Sequence, residues 1–210
     1  YAKRIPDIAK AISEEMGAPI SIASTPQSGS GMVHLGATID GLKNFEFVES
    51  TGKNHVLYEA AGIVALITPW NWPMNQIVAK VAPALAAGNT MVLKPSEEAP
   101  SCAAIFAEIM DKAGVPAGVF NLVQGDGPGV GAALSRHKNV DMVSFTGSTR
   151  AGIMVAKSAA DTVKRVHQEL GGKSPNVILP GADLPKAVQT GLFSVIMNSG
   201  QSCIAPARML

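Results

Sequence analysis

From residue 61 onward the chain alternates short, wholly apolar runs with longer stretches of helical spacing. The apolar runs are "AGIVALIT", "TMVLK", "GVFNLV" and "VDMVSF". Each is short for a buried helix and lacks the in-out alternation of a strand with one wet face, so each reads as a strand covered on both sides. Between them lie a Pro-opened helix from about Met74 to Ala87, a helix that follows "PSEEAP" and runs through Met110, and a Gly-rich helix start at "DGPGVGAALSR". After the last run, "TGSTRAGIMVAKSAA" begins a further helix. Strands and helices in alternation, joined by short connections, predict an α/β fold: a Rossmann-like parallel sheet with helices on both faces.

Residues 1–60 lack this rhythm. Ile5, Ile8, Ala9, Ile12 and Met16 recur at helical spacing, with Glu14 and Glu15 on the other side, and Gly17 ends the amphipathic helix. Residues 24–44 are mixed and Gly/Ser-rich, and suggest no definite element. "FEFVES" and "NHVLYEA" flank a "TGKN" turn and predict a polar hairpin.

The totals narrow the partners. The 210 residues are 47% hydrophobic and 16% charged, and carry a net charge of +1. That balance offers no electrostatic footprint for nucleic acid or an anionic membrane, and no apolar run approaches the roughly 18–20 residues needed to span a bilayer. Two cysteines about a hundred positions apart do not make a disulfide framework, so a reducing, cytoplasmic setting is expected. His34, His55, His137 and His167 show no metal-ligand spacing, and no metal is expected. Both ends read as cuts, which predicts an internal piece of a longer polypeptide.

In open parallel sheets, ligands bind beyond the carboxyl ends of the strands. Here that places "PWNWP", "KPSE", "QGDGPG" and "TGSTRAG" around one crevice. "QGDGPGVG" departs from the strict dinucleotide fingerprint, because Val130 stands where the third glycine belongs. In "FTGSTRAG", Gly147 and Ser148 open a helix whose free N–H groups suit a phosphate, although a plain Ser cap explains them equally. Lys94 and Glu97 are placed to hold a ribose, or alternatively Ser96 or Glu97 caps the next helix. Asn71, in a loop stiffened by prolines, either offers an amide to a developing oxyanion or is an ordinary Asn in a Pro turn. Glu169, before Gly171 and Gly172, reads as a general base raised in pKa by burial, or as a surface glutamate at a turn. Lys80 interrupts an apolar helix, either snorkelling to solvent or acting as a buried proton-relay group. Cys102 reads as a small core residue. Cys203, in "MNSGQSCIAPAR", sits instead among polar residues on a specially shaped loop, which suits a thiolate nucleophile, but the stretch alone does not decide between that and a structural cysteine.

Taken in order, "PWNWP", "KPSE", "FTGSTRAG", "ELGGKSP" and "GQSC" resemble the aldehyde dehydrogenase superfamily, and their separations match its pattern over residues 61–210. The resemblance implies three segments. Residues 1–60 would hold a helix and an oligomerisation-type hairpin, 61–170 the NAD-binding domain, and 171–210 the start of a catalytic domain. It implies Cys203 as the nucleophile that forms a thiohemiacetal with an aldehyde, with Asn71 and the Cys203 main-chain N–H as the oxyanion hole. Glu169 would then activate the water that hydrolyses the resulting thioester. Lys94 and Glu97 would hold the adenosine ribose, Gly147 and Ser148 the pyrophosphate, while Trp70, Gly127, Gly131 and Leu170 would line the cofactor path. Glu97 implies NAD over NADP, because a carboxylate repels a 2′-phosphate. A homodimer or homotetramer is implied for the full-length protein, and the isolated 210 residues are expected to be inactive.

Two other functions compete. In the coenzyme A-acylating branch a thiol takes the acyl group, and Glu169 argues against it. A non-catalytic descendant kept for binding or structure would have no need of Asn71, Glu169 and Cys203 together. Trp72, Met74, Ser202 and Ile204 suggest an apolar entrance and do not identify the aldehyde.

Overall fold

A computed structural model describes residues 1–210. The helices are α1 (Ile5–Met16), α2 (Ile20–Ile22), α3 (Ser28–Lys43), α4 (Pro73–Ala86), α5 (Ser101–Lys112), α6 (Ala132–Arg136), α7 (Thr149–Ala160) and α8 (Leu184–Ile196). The strands are β1 (Val48–Thr51), β2 (Asn54–Leu57), β3 (Ile63–Ile67), β4 (Thr90–Lys94), β5 (Phe120–Leu122), β6 (Met142–Gly147), β7 (Arg165–Leu170), β8 (Pro175–Asn176) and β9 (Arg208–Met209). β3 to β7 form one parallel sheet in the order β5-β4-β3-β6-β7. The chain thus builds outward from β3 to β5, crosses back, and continues from β6 to β7. The crevice where the strand order reverses lies between β3 and β6, the position at which open α/β sheets receive ligands.

Both faces of the central strands are buried, as their composition predicts. Val64 and Leu66 of β3 join Met91 and Leu93 of β4 in a large core with α1, α4 and α5, which contributes Ile8, Ile12, Ile77, Val78 and Phe106. Ala65 and Ile67 point the other way, into a smaller core with Val143 and Phe145 of β6 and Val155 of α7. This period of two divides each apolar run between two layers. Burial of a side chain the size of Phe106 stabilises the fold by roughly 1.5–3 kcal/mol.

The same parity shapes the site. On the α4 side, β6 and β7 present Ser144, His167 and Glu169, which line a cavity of about 960 Å³ shared with α4. Gly17 ends α1 at φ 75°, as its position in the sequence suggests. The hairpin of β1 and β2 forms as expected, pairing Val48 with Leu57.

Among the elements not legible in the sequence, three bear on the site or the core. α3 fills most of the stretch that suggested nothing definite, preceded by a π-helical turn over Ala23–Gln27. β7 is an edge strand rich in polar residues, so it carries no apolar run. α8, capped by Asp183 accepting from the Lys186 N–H, leaves Val188, Leu192 and Phe193 exposed.

Candidate active site

The loop after β3 runs into α4, which Pro73 opens. Asn71, on that loop, donates from Nδ2 to the carbonyl of Gln201 at 2.8 Å, and Trp72 donates from Nε1 to Ser202 Oγ at 2.8 Å. Two side chains from one loop therefore grip the segment that carries Cys203. That segment leaves α8 through Asn198 and Ser199, both in left-handed backbone at φ 55° and 57°. Non-glycine residues adopt this conformation at a cost, which side-chain hydrogen bonds from Asn help to offset. The turn delivers Cys203, half-buried, to the wall of the cavity that also holds Glu169.

Glu169 is placed by the register of β7 on β6, with Ser144 opposite His167 and Thr146 opposite Glu169. It lies on the strand and not at a turn, and its side chain is 63% exposed. The burial expected of it is therefore absent, because no element covers the α4-side face of β7. His167 Nε2 stands 3.7 Å from Glu169 Oε1, an attraction that needs a protonated imidazole. His167 Nδ1 lies 3.2 Å from Ser144 Oγ, and Lys80 Nζ donates to that same hydroxyl at 2.8 Å.

Lys80 does not snorkel. It is 7% exposed, and burial pulls its ammonium down to about 8, partly opposed by the charge of Glu169. The two cysteines differ as their contexts suggest. Cys102 is fully buried in the large core, and desolvation pushes its thiol up to about 12.

On the other side of the crevice, Lys94 ends β4 with a side chain only 3% exposed and donates to Glu97 Oε2 at 2.7 Å. The Lys94 hydrogen bond is the largest cause holding the Glu97 carboxyl below the usual carboxylate range, and the main chain of Gly127 adds to it. Neither Ser96 nor Glu97 caps α5; that helix begins at Ser101, whose N–H donates to Glu15 of α1 at 3.0 Å. Ser148 does cap α7, accepting from the Ala151 N–H at 3.2 Å. Gly127 opens a π-helical turn, and no atom lies within 4 Å of the point where a Cβ would stand, so bare backbone faces outward there. Gly131 is buried inside that turn, where its carbonyl accepts from Ser135 Oγ. Trp70 lies on the β3 loop with 36% exposure, and Leu170 packs half-buried against the smaller core.

The structure adds four residues that the sequence did not single out. Ser144 and His167 link Lys80 toward Glu169. Gln27 and Asn198, both buried, hydrogen-bond to one another beneath Asn71 at 2.8 Å. Only Asn198 carried a signal, as part of "MNSGQSC". No three His, Cys, Asp or Glu side chains gather as a metal site, and no helix is long and apolar enough to cross a membrane.

Comparison with known proteins finds relatives along the whole chain. The chain is 58% identical over 211 residues to a 3-succinoylsemialdehyde-pyridine dehydrogenase from a Pseudomonas species, a match covering 100% of this chain and 44% of that protein. A crystal structure of an aldehyde dehydrogenase from Bartonella henselae superposes with a TM-score of 0.96 at 54% identity, covering 100% of this chain and 44% of that one. Aldehyde dehydrogenase C from Pseudomonas syringae, solved as a cysteine-to-alanine mutant with NAD+ and octanal, gives 0.97 at 52% identity, covering 99% and 43%. The NAD+ complex of an aldehyde dehydrogenase from Bacillus cereus gives 0.95 at 33% identity, covering 99% and 43%. The chain thus spans less than half the length of these relatives. The aldehyde dehydrogenase family model matches residues 1–210 throughout, and the chain belongs to that family.

Proposed function

We propose that the whole protein oxidises an aldehyde to a carboxylic acid with NAD, through a covalent adduct on Cys203. One observation carries this reading. Cys203 and Glu169 line a single cavity, and the amide of Asn71 is fixed against the loop that bears Cys203.

The residues of the crevice fit NAD. Lys94 and Glu97 form a pre-paired cation and carboxylate at the end of β4, and a carboxylate there accepts from ribose hydroxyls while repelling a 2′-phosphate. Gly147 and Ser148 open α7, whose first N–H groups have no partner in their own helix and suit a pyrophosphate. Exposed Gly127 and Trp70 complete that wall. The P. syringae and B. cereus relatives, solved with NAD+, support the same assignment. Bound NAD supplies the hydride acceptor.

The chain's own groups account for the remaining steps. The Cys203 sulfur attacks the aldehyde carbon, and the negative charge gathering on oxygen meets the second Asn71 amide hydrogen and the Cys203 main-chain N–H. Such donors act strongly because they are oriented before charge develops. After oxidation, Glu169 removes a proton from the water that attacks the Cys203 thioester, and the acid departs. Lys80, Ser144 and His167 form a polar line from the interior toward Glu169 and are placed to move that proton. Residues 61–170 would serve as the NAD-binding domain and 171–210 as the start of the catalytic domain. The exposed Val48, Val56 and Leu57 of the hairpin support an oligomerisation role in a dimer or tetramer.

The test is NADH formation by the whole protein across a panel of aldehydes, with and without coenzyme A, beside a Cys203→Ala variant. Aldehyde-dependent NADH without coenzyme A, abolished in the variant, is the expected result. A strict requirement for coenzyme A would instead assign the acylating branch.

A further inference from the structure

Beneath Asn71 lies a closed ring of hydrogen bonds joining three segments distant in sequence. Gln27, the last residue of the π-helical turn, is completely buried. Its Nε2 donates to Asn198 Oδ1 at 2.8 Å, to the Asn71 carbonyl at 3.1 Å and to Met16 Sδ at 3.4 Å. Asn198 Nδ2 donates to the same Asn71 carbonyl at 2.9 Å and to the Gln201 carbonyl at 3.2 Å. The Gln201 carbonyl is the acceptor of the Asn71 side chain, which closes the ring.

We infer that Gln27 and Asn198 are positioning residues for the oxyanion hole, fixing the Asn71 amide relative to the main-chain N–H of Cys203. The inference rests on the function proposed above. Its physical basis is donor and acceptor matching. With its own carbonyl held by two donors, the Asn71 main chain cannot shift without breaking both hydrogen bonds and leaving one of the two Asn198 Nδ2 hydrogens without its acceptor, which is costly in the interior. The Asn71 amide also cannot flip, because Oδ1 would then face the Gln201 carbonyl, an acceptor against an acceptor. One amide hydrogen is therefore committed, and the planar group fixes the direction of the other.

Local features agree that this arrangement is maintained at a cost. Gln27 Oε1 has no hydrogen-bond partner, Asn198 sits at φ 55°, and the chain bearing Gln27 is wound into a π turn, a form that recurs at functional sites. Neither side chain is placed to touch the aldehyde, so both act through Asn71.

The experiment is a double-mutant cycle on the whole protein with NAD and an aldehyde substrate. Gln27→Met removes the donors at similar volume, and Asn198→Gly removes the side chain while suiting the left-handed backbone. Each is expected to lower kcat by about tenfold to a hundredfold, the scale of an ångström's misplacement at a reacting centre. The Kd for NAD and the rate of Cys203 alkylation by iodoacetamide, which builds no oxyanion, should stay unchanged. In an Asn71→Ala background the same changes should cost almost nothing more, because the group they position is gone. Full losses persisting in that background would overturn the inference, as would wild-type kcat in both single variants while Asn71→Ala is impaired. Wild-type turnover by Asn71→Ala would sink the oxyanion-hole reading itself, and this inference with it. Asn198→Gly guards against misfolding, since its backbone cost falls while its turnover is expected to drop.

Discussion

Asn71 and Gln201, 130 positions apart, are joined by a 2.8 Å hydrogen bond from side-chain amide to main-chain carbonyl, two residues before Cys203. This bond ties the first loop of the parallel sheet to the loop that bears Cys203. Replacing Asn71 by Ala removes both the tie and the proposed donor. A fall in kcat of about 10²–10³ is expected, with NAD affinity preserved, as for other single oxyanion donors. Steady-state kinetics beside NAD titration checks it, and an unaltered kcat would assign the amide a purely structural role.

The two thiols should be separable by chemistry. Cys102 is buried and its thiol is pushed up to about 12 by desolvation, so almost no thiolate exists there near pH 8. Iodoacetamide at pH 8 is expected to modify Cys203 alone in the folded protein, and both cysteines in urea. Peptide mapping decides, and rapid native labelling of Cys102 would mean that the α1–α5 contact opens readily.

Lys80 makes stability depend on pH in a defined window. Its folded-state value is about 8, against 10.5 for the free side chain. Between these values the unfolded chain holds a proton that the folded protein has released, so stability rises with pH across the window. Below about 8 both states hold it, and the burial penalty applies in full. Lys80→Met should therefore be more stable than wild type at pH 7, with an advantage that shrinks on the order of 2 kcal/mol by pH 10. Urea unfolding at the two pH values measures this; a constant advantage would show that the ammonium keeps its water.

Glu97 is the expected determinant of cofactor choice. Its carboxylate is held charged chiefly by Lys94. Glu97→Gln keeps the shape and removes the charge, which should weaken NAD binding by about tenfold, the scale of one hydrogen bond to a charged acceptor. It should also improve relative affinity for NADP. Calorimetric titration with both cofactors tests the claim, and an unchanged ratio would place the ribose elsewhere.

Much of the architecture was legible in the amino-acid order, because the physics behind it is local. The apolar runs of β3, β4, β5 and β6 announce strands buried on both faces, and Gly17 announces the end of α1 by the φ it permits. Cys203 stood out through its polar, glycine-bearing loop. α3 was invisible for an equally physical reason. Four glycines lower its intrinsic helicity, and what holds it is tertiary. At Gly31 the Tyr1 ring leaves no room for a Cβ, and Tyr1 Oη donates to the Ser28 carbonyl at 2.7 Å.

The sequence by itself determined the class of fold and the family, since periodicity, turn residues and motif spacing are written along the chain. Only the tertiary structure decided which groups meet. It buried Lys80 against Ser144, left Glu169 exposed on an uncovered strand face, enclosed Gly131 in its own turn, and set Gln27 and Asn198 beneath Asn71. Those outcomes depend on the register of β7 on β6 and on hydrogen bonds that span more than a hundred residues. No local pattern encodes such long-range pairings; they follow from how the layers close around the core.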